Sequence, residues 1–337
     1  MRPLLEACLV NDAFGDPGLF VDFLDERRAL LFDLGDITTL MPRKLMRLSH
    51  VFVTHTHMDH FSGFDRLLRV LLGRKPSLVL YGGPGFLAQV EHKLLAYTWN
   101  LVHRYDIELV VKANELGLDG QVRRARFSSR DGFARLAESP IERTGDIVHD
   151  ETTFRVRACF VDHGIPCLAY LVEEKVRLSI NAERLAASGL KTGAWLRHLK
   201  HAVLTGAAGD APVLVQWHDR SGDHTVTRTV GELCHLILDV EPGQRIGYVT
   251  DLRYTSENMR ALSGLMQDVD QLFIESMFLE ADSVHALRKN HLTTVQAGLI
   301  ARRTGARAVT PFHFSPRYRG RAVDLGAEVR AASGASR

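Results

Sequence analysis

This sequence has few cysteines, no long apolar run and almost no net charge. Its 4 cysteines, among 337 residues, include no C-x-x-C pair, which excludes a disulfide-stapled scaffold and predicts reduced thiols in a cytoplasmic protein. No apolar run approaches the ~20 residues that span a bilayer, so we expect no membrane helix. The segment Met1–Val10 lacks the apolar core of a secretory signal. With 42 basic and 40 acidic residues, the overall charge gives no reason to expect broad binding of nucleic acid.

Histidine, by contrast, is abundant, with 16 residues. The densest group comprises His55, His57, Asp59 and His60, and it follows a short β-branched run that predicts a buried strand. In an extended chain, residues i and i+2 face the same side, so His55 and His57 can hold one metal ion together. Asp59 and His60 follow where the chain turns towards the next predicted helix, and they can hold a second ion. Imidazole and carboxylate groups bind zinc, manganese or iron, and zinc is the metal we expect.

Other polar residues recur at the ends of predicted strands. Asp251, Glu275 and His313 each follow, directly or almost directly, a short apolar run that predicts a buried strand. A rigid sheet can present side chains at its strand ends to a common point. We therefore expect these residues to lie near the histidine-rich motif.

Residues 54–60, T-H-T-H-M-D-H, resemble the H-x-H-x-D-H signature of metallo-β-lactamase fold hydrolases. Three later segments are similar to the remaining ligand segments of that family: V-D-H-G-I-P at 161–166, Y-V-T-D at 248–251 and P-F-H-F-S-P-R-Y at 311–318. The resemblance implies a centre with two divalent metal ions and a hydroxide between them as the nucleophile. The implied ligands are His55, His57 and His163 for the first ion, Asp59, His60 and His313 for the second, and Asp251 as the bridge.

The same resemblance implies the fold and the organisation of the chain. The family is α/β (α+β), a four-layer αββα sandwich with the metal centre at one edge of its two sheets. Because the ligands are spread from His55 to His313, we expect a single domain over residues 1–325. An insertion over about 181–240 is a candidate substrate arm, and residues 326–337 are expected to form a flexible tail.

Two segments narrow the resemblance within this superfamily. H-L-T at 291–293 is similar to the catalytic histidine segment of ribonuclease Z, the endonuclease that trims tRNA 3′ ends, and so is H-F-S-P-R-Y at 313–318. The resemblance implies that His291 protonates the leaving 3′-oxygen, with Glu275 orienting it, and that Asp59 orients or deprotonates the nucleophile. Ser315 and Arg317 would contact the substrate phosphate. It also implies a homodimer.

The substrate is left open by the sequence. The stretch from Asn181 to Val240 lacks the Gly-Pro-rich arm with which ribonuclease Z grips tRNA, although its basic residues Lys191, Arg197 and Lys200 suit an RNA partner. The favoured hypothesis is a ribonuclease Z-like phosphodiesterase acting on tRNA precursors. The alternative is a hydrolase of the same fold acting on a small phosphodiester, a thioester or another ester. A di-iron redox protein would add a flavin domain, and a non-catalytic relative would have lost ligands.

Overall fold

In this computed structural model, residues 5–24, 26–219 and 222–334 are described. The chain divides into two compact units. The main unit consists of Met1–Val148, Val156–Val172 and Arg245–Arg337, and the inserted unit consists of His149–Arg155 and Glu173–Gln244. All seven predicted metal ligands belong to the main unit. Among the described residues, no helix is both long enough and apolar enough to cross a membrane.

Eight strands, in chain order, form the first sheet. They are β1 Leu5–Leu9, β2 Leu19–Phe23, β3 Arg28–Phe32, β4 Leu48–Phe52, β5 Ser77–Gly82, β6 Val110–Leu116, β7 Gln121–Ser128 and β8 Arg135–Glu142. The pairing is antiparallel from β1 to β3, parallel from β3 to β6 and antiparallel again to β8. Strands β2 and β3 are consecutive and antiparallel, and residue 25, between them, lies outside the described residues. Strand β3 is buried over most of its length, as is usual for strands covered on both faces.

The second sheet has the strand order β18-β17-β16-β11-β10-β9. Its strands are β9 Ile147–Asp150, β10 Phe154–Asp162, β11 Pro166–Glu174, β16 Arg245–Val249, β17 Gln271–Glu275 and β18 Ala308–Phe312. Strands β16, β17 and β18 are parallel. Their carboxyl ends therefore meet at one edge of the sheet, and this edge carries Asp251, Glu275 and His313.

Helices cover the sheets of the main unit, and aromatic side chains pack between the sheets. The helices of this unit are α1 Pro42–Leu45, α2 Met58–Phe61, α3 Phe64–Leu71, α4 Phe86–Leu95, α8 Ser256–Leu265, α9 Ser283–Lys289, α10 Thr294–Arg303 and α11 Ala322–Ser333. One apolar cluster joins α3 and α4 to the first sheet, and another joins α8 and α10 to the second. The ring of Tyr170, on β11, lies 5.5 Å from that of Phe32 and 5.6 Å from that of Phe52 in the first sheet. This is the predicted order of helix, sheet, sheet and helix.

The inserted unit has its own strands, helices and core. Its elements are β12 Val176–Ile180, α5 Ala182–Ala187, α6 Trp195–Leu204, β13 Pro212–Asp219, β14 Gly222–Thr229, α7 Val230–Ile237 and β15 Leu238–Pro242. Strand β12 pairs with β15 and β13 pairs with β14, and both pairs are antiparallel. Trp195, Leu199, Val215 and Leu233 are buried in its apolar cluster. The unit is thus wider than the predicted insertion over about 181–240, and its role as a substrate arm stays a prediction.

The predicted flexible tail over residues 326–337 is wrong for most of its length. Residues 326–333 belong to α11, which buries Leu325 and Val329. Helix α11 packs closely on α10 at Gly298. A Cβ atom at this position would lie 2.5 Å from the Cβ atom of Ala332, so a larger residue would not fit without a shift. Residues 335–337 lie outside the described residues.

Candidate metal centre

The motif at residues 54–60 begins just after strand β4 and runs into helix α2. His57 is the N-cap of α2, with φ −62° and ψ 157°, so His55 and His57 lie in the loop that enters the helix. Asp59 and His60 lie within α2. Because the backbone changes direction at the cap, the two pairs fall into different groups of donor atoms.

The first group brings together side chains from three separate segments. His55, His57, His163 and Asp251 each offer one donor atom, and these atoms all lie within 4.8 Å of one another. The Nε2 atoms of His55 and His163 are 3.6 Å and 3.5 Å from Oδ2 of Asp251. These are the residues predicted to hold the first metal ion together with the bridge.

The second group joins the helix α2 to the end of β18. The donor atoms of Asp59, His60 and His313 also lie within 4.8 Å of one another. Oδ2 of Asp59 is 3.5 Å from Nε2 of His60 and 3.4 Å from Nε2 of His313. Asp251 approaches this group as well, since its Oδ2 is 3.4 Å from Nε2 of His60 and its Oδ1 is 2.9 Å from Nδ1 of His313. Asp251 therefore lies between the two groups, where a bridging ligand is required.

Two of these imidazoles are held by hydrogen bonds at Nδ1, the ring nitrogen that is not directed at Asp251. Nδ1 of His60 lies 2.9 Å from Oδ2 of Asp33, and Nδ1 of His163 lies 2.9 Å from the carbonyl oxygen of Asn290. A histidine that donates from one ring nitrogen presents the lone pair of the other, which is how metal-ligating histidines are oriented in proteins. The Nε2 atoms of both rings are thus directed at Asp251.

Asp33 is a residue of this site that the sequence analysis missed. Its buried carboxylate accepts hydrogen bonds from the backbone N–H of Thr54 at 2.7 Å and from the hydroxyl of Tyr248 at 3.1 Å, besides its contact with His60. It also has a positive φ of 55°, like Asp251 and His313, a conformation that non-glycine residues seldom adopt outside constrained sites. Its position in the sequence could have indicated Asp33 as a site residue. It directly follows the buried strand β3, just as the predicted site residues follow buried strands.

The side chains present fit divalent cations. Nε2 of His55 and Nε2 of His60 are buried and accept no hydrogen bond from any part of the chain that the structure describes, and buried polar atoms rarely lack a partner. Burial lowers the pKa of His55 to about 2, so its imidazole is neutral and its lone pair is free. Burial alone would raise the pKa of Asp251, but His313 and His60 hold it well below its usual range. The neutral imidazole of His55 beside the ionised carboxylate of Asp251 is a pair of donors that suits a divalent metal ion.

His291, the predicted general acid, lies beside both donor groups. Its ring is 4.9 Å from that of His163 and 5.6 Å from that of His313. Nδ1 of His291 is 3.1 Å from Oε2 of the fully buried Glu275. Burial by itself lowers the pKa of His291, but the Glu275 carboxylate outweighs it and raises that pKa above its usual value. Donor atoms of His291, Asp251 and His313 also lie within 4.8 Å of one another, which makes His291 an alternative ligand on distance alone.

The two predicted phosphate contacts lie on the segment after His313. The guanidinium of Arg317 lies 5.6 Å from the ring centroid of Phe278, and its NH1 atom is 3.9 Å from Oδ2 of Asp282. The backbone N–H of Ser315 donates to the carbonyl of Met277 at 3.0 Å. The contact of Ser315 and Arg317 with a phosphate stays a prediction.

Comparison with known proteins identifies the fold and the relatives. A model of the beta-lactamase superfamily domain matches residues 169–314. Ribonuclease Z of Deinococcus radiodurans is 30% identical over 322 residues, which cover 94% of this chain and 92% of that protein. Ribonuclease Z of Thermobifida fusca is 30% identical over 296 residues, which cover 86% of this chain and 76% of that protein.

Two solved structures share the fold. Human tRNase Z, short form, is 18% identical with a TM-score of 0.54, and the match covers 94% of this chain and 92% of that one. The metallo-beta-lactamase fold protein YhfI from Bacillus subtilis is 12% identical with a TM-score of 0.55, and the match covers 98% of this chain and 94% of that one. The predicted fold is confirmed.

Proposed function

Because this chain belongs to the ribonuclease Z family, we propose that it is an endonuclease that cleaves a phosphodiester at the 3′ end of tRNA precursors with two divalent metal ions. The family makes the chain a metal-dependent hydrolase of the metallo-β-lactamase fold. The number of ions and the residues that hold them are proposed from the geometry of the site. The observation that supports two ions is the position of Asp251, whose Oδ2 lies 3.4–3.6 Å from Nε2 of His55, His163 and His60 and whose Oδ1 lies 2.9 Å from Nδ1 of His313.

The proposed ligands divide between the two ions. His55, His57 and His163 hold one, Asp59, His60 and His313 hold the other, and Asp251 is shared. Two divalent ions held there would lower the pKa of a bound water, so that it is a nucleophile at neutral pH, and would offset the charge that builds on the phosphate. Asp59 has its side chain 41% exposed, so it can also accept a hydrogen bond from the attacking water and orient it.

His291 is proposed to give a proton to the leaving oxygen. Glu275 accepts from Nδ1 of His291, so the proton that can be transferred is the one on Nε2. A protonated imidazole within reach of a leaving oxygen contributes typically 10²–10⁴-fold in rate. Ser315 and Arg317 are proposed to hold a phosphate oxygen, since a guanidinium can bind phosphate in bidentate fashion.

The experiment that tests this function is a cleavage assay with a 3′-extended tRNA precursor, in zinc and then in manganese. We expect a cut at the end of the acceptor stem that leaves a 3′-hydroxyl on the tRNA body. His291→Ala should abolish most of the cutting, and His92→Ala, which changes an exposed histidine of α4, should not. A protein that holds metal and leaves every precursor intact would contradict the proposal.

A small substrate is the second candidate. It is favoured by the inserted unit, whose stretch from Asn181 to Val240 has no Gly-Pro-rich arm. A small chromogenic phosphodiester, assayed in parallel, separates the two candidates. Cleavage of the small ester without cleavage of the precursor would keep the metal chemistry and assign a smaller substrate.

Zinc, a homodimer and a cytoplasmic location complete the proposal by resemblance to the family. The donor set of imidazoles and carboxylates suits zinc, and it also suits manganese or iron, so availability decides which is bound. Elemental analysis of protein purified without added metal identifies the ion. Sedimentation analysis gives the oligomeric state.

A further inference from the structure

A small pocket opens beside His291, on the main unit. It is lined by Arg253, Tyr254, Leu287, Asn290, His291 and Gln296, and it is partly open to solvent. The loop that follows Asp251 supplies its first two residues, and the segment around His291 supplies the rest. The pocket therefore adjoins the proposed general acid and is anchored to the same backbone segment as the proposed bridging ligand.

One wall of the pocket is held in place by hydrogen bonds. Nε of Arg253 donates to Oδ1 of Asn290 at 2.8 Å, and NH1 of Arg253 donates to Oδ2 of Asp162 at 2.9 Å. Asn290 in turn donates from Nδ2 to the carbonyl of His163 at 3.1 Å. The positive charge of Arg253 is already paired with the Asp162 carboxylate, so this wall does not offer an unpaired cation to a phosphate.

The other lining side chains expose apolar surface and one hydrogen-bond donor. Tyr254 is 41% exposed and Leu287 is 73% exposed, so both side chains offer apolar surface at the pocket. Oε1 of Gln296 accepts the backbone N–H of Thr293 in the capping box of α10, which leaves its Nε2 amino group as the donor at the pocket. An aromatic ring, an aliphatic side chain and an amide donor are the groups with which proteins bind an unstacked nucleobase.

The chemistry of the reaction says which nucleotide would lie there. In an in-line displacement, the leaving oxygen is opposite the attacking oxygen. The proposed general acid stands next to the leaving oxygen, so the nucleoside attached to that oxygen lies on the side of His291. If the leaving group is a 3′-oxygen, this nucleoside is the one immediately 5′ of the cut.

We propose that this pocket binds the base of the nucleotide whose 3′-oxygen is released, with Tyr254 stacked on the base, Leu287 against its edge and Nε2 of Gln296 donating to it. The proposal rests on the proposed endonuclease function. It goes beyond that function because it assigns a base-binding subsite, and it makes the identity of the last retained nucleotide part of substrate recognition.

The test compares single-turnover cleavage of two 3′-extended precursors, one intact and one with an abasic nucleotide immediately 5′ of the scissile phosphate. The enzymes are the wild type, Tyr254→Ala, Tyr254→Phe and, as a matched control, Tyr105→Ala, which removes a tyrosine that is 45% exposed and does not line the pocket. Removal of base stacking corresponds to a rate decrease of roughly 5- to 150-fold. We expect that decrease for Tyr254→Ala on the intact precursor, whereas Tyr254→Phe and Tyr105→Ala should retain the wild-type rate.

On the abasic precursor, Tyr254→Ala should lower the cleavage rate by less than about twofold, because the variant and the substrate change remove the same interaction. An equal penalty on both precursors, or no penalty on either, would overturn the base-binding pocket while the proposed endonuclease function stands. If the wild type cuts neither precursor, the endonuclease function itself fails, and the pocket assignment fails with it.

Discussion

Nδ1 of His60 lies 2.9 Å from Oδ2 of Asp33, and both side chains are fully buried. Asp33 follows a strand of the first sheet, and the hydroxyl of Tyr248, on a strand of the second sheet, donates to the same oxygen at 3.1 Å. The carboxylate therefore fixes the orientation of a proposed metal ligand and links it to both sheets. Metal affinity at this centre should depend on a residue that does not bind the metal.

Asp33→Asn should lower the zinc affinity about 10- to 100-fold, because partners of this kind orient the ligands of metal sites. The amide keeps the size of the side chain but replaces one acceptor oxygen with a donor. Competition against a chelating dye measures the affinity, and Asp65→Asn, which removes a half-exposed carboxylate paired with Lys93, is the control. An unchanged zinc affinity in Asp33→Asn would show that His60 binds the metal equally well without the Asp33 carboxylate.

His291→Ala should slow precursor cleavage by roughly 10²–10⁴-fold and leave the metal content unchanged, because His291 is proposed as a proton donor. Elemental analysis accompanies the rate measurement, because a donor atom of His291 also lies within 4.8 Å of those of Asp251 and His313. Loss of a metal ion from the variant would instead make His291 a ligand.

Asn290 should matter for stability because its φ is 63°. The left-handed conformation costs a residue with a Cβ atom roughly 1–2 kcal/mol, while glycine adopts it freely. Asn290→Gly and Asn290→Ala both remove the side-chain bonds to Arg253 and His163 and keep the backbone carbonyl that accepts from His163.

We therefore expect Asn290→Ala to have a free energy of unfolding about 1 kcal/mol lower than that of Asn290→Gly, measured in urea at one pH with metal present. Equal stabilities would mean that the loop before His291 relaxes when the side chain is removed.

The basic residues of the inserted unit separate the two candidate substrates. If Lys191, Arg197 and Lys200 bind tRNA phosphates, changing all three to Ala weakens precursor binding and makes it less dependent on salt, because fewer counterions are released on binding. Cleavage of a small phosphodiester should stay the same, because the unit has none of the proposed ligands. A salt dependence equal to that of the wild type would show that this surface does not bind RNA.

The sequence was sufficient to predict the elements that carry their own local signals. The alternation at residues 54–57 and the turn into α2 follow from strand geometry and helix entry. The parallel strands β16, β17 and β18 bring Asp251, Glu275 and His313 to one edge because each follows a short apolar run. The capping box between Thr293 and Gln296 is also visible in the sequence, and it is present at the start of α10.

Features that depend on distant partners could not be predicted from the sequence. Asp33 and His60 are 27 residues apart, and Asn290 and His163 are 127 apart. No local pattern predicts such pairings. The inserted unit extends to Glu173–Gln244 partly because Val176 pairs with Pro242. The last helix continues through Ser333, and its close approach to α10 at Gly298 joins residues that are far apart in the sequence.

The most direct test of a binuclear centre is a zinc titration of the metal-free protein, with precursor cleavage measured after each addition. Seven proposed ligands, with Asp251 shared between the two ions, predict that cleavage rises as a second equivalent binds, because both ions are needed to activate water and offset the charge on the phosphate. Full cleavage after one equivalent, or in the metal-free protein, would contradict a binuclear phosphodiesterase centre.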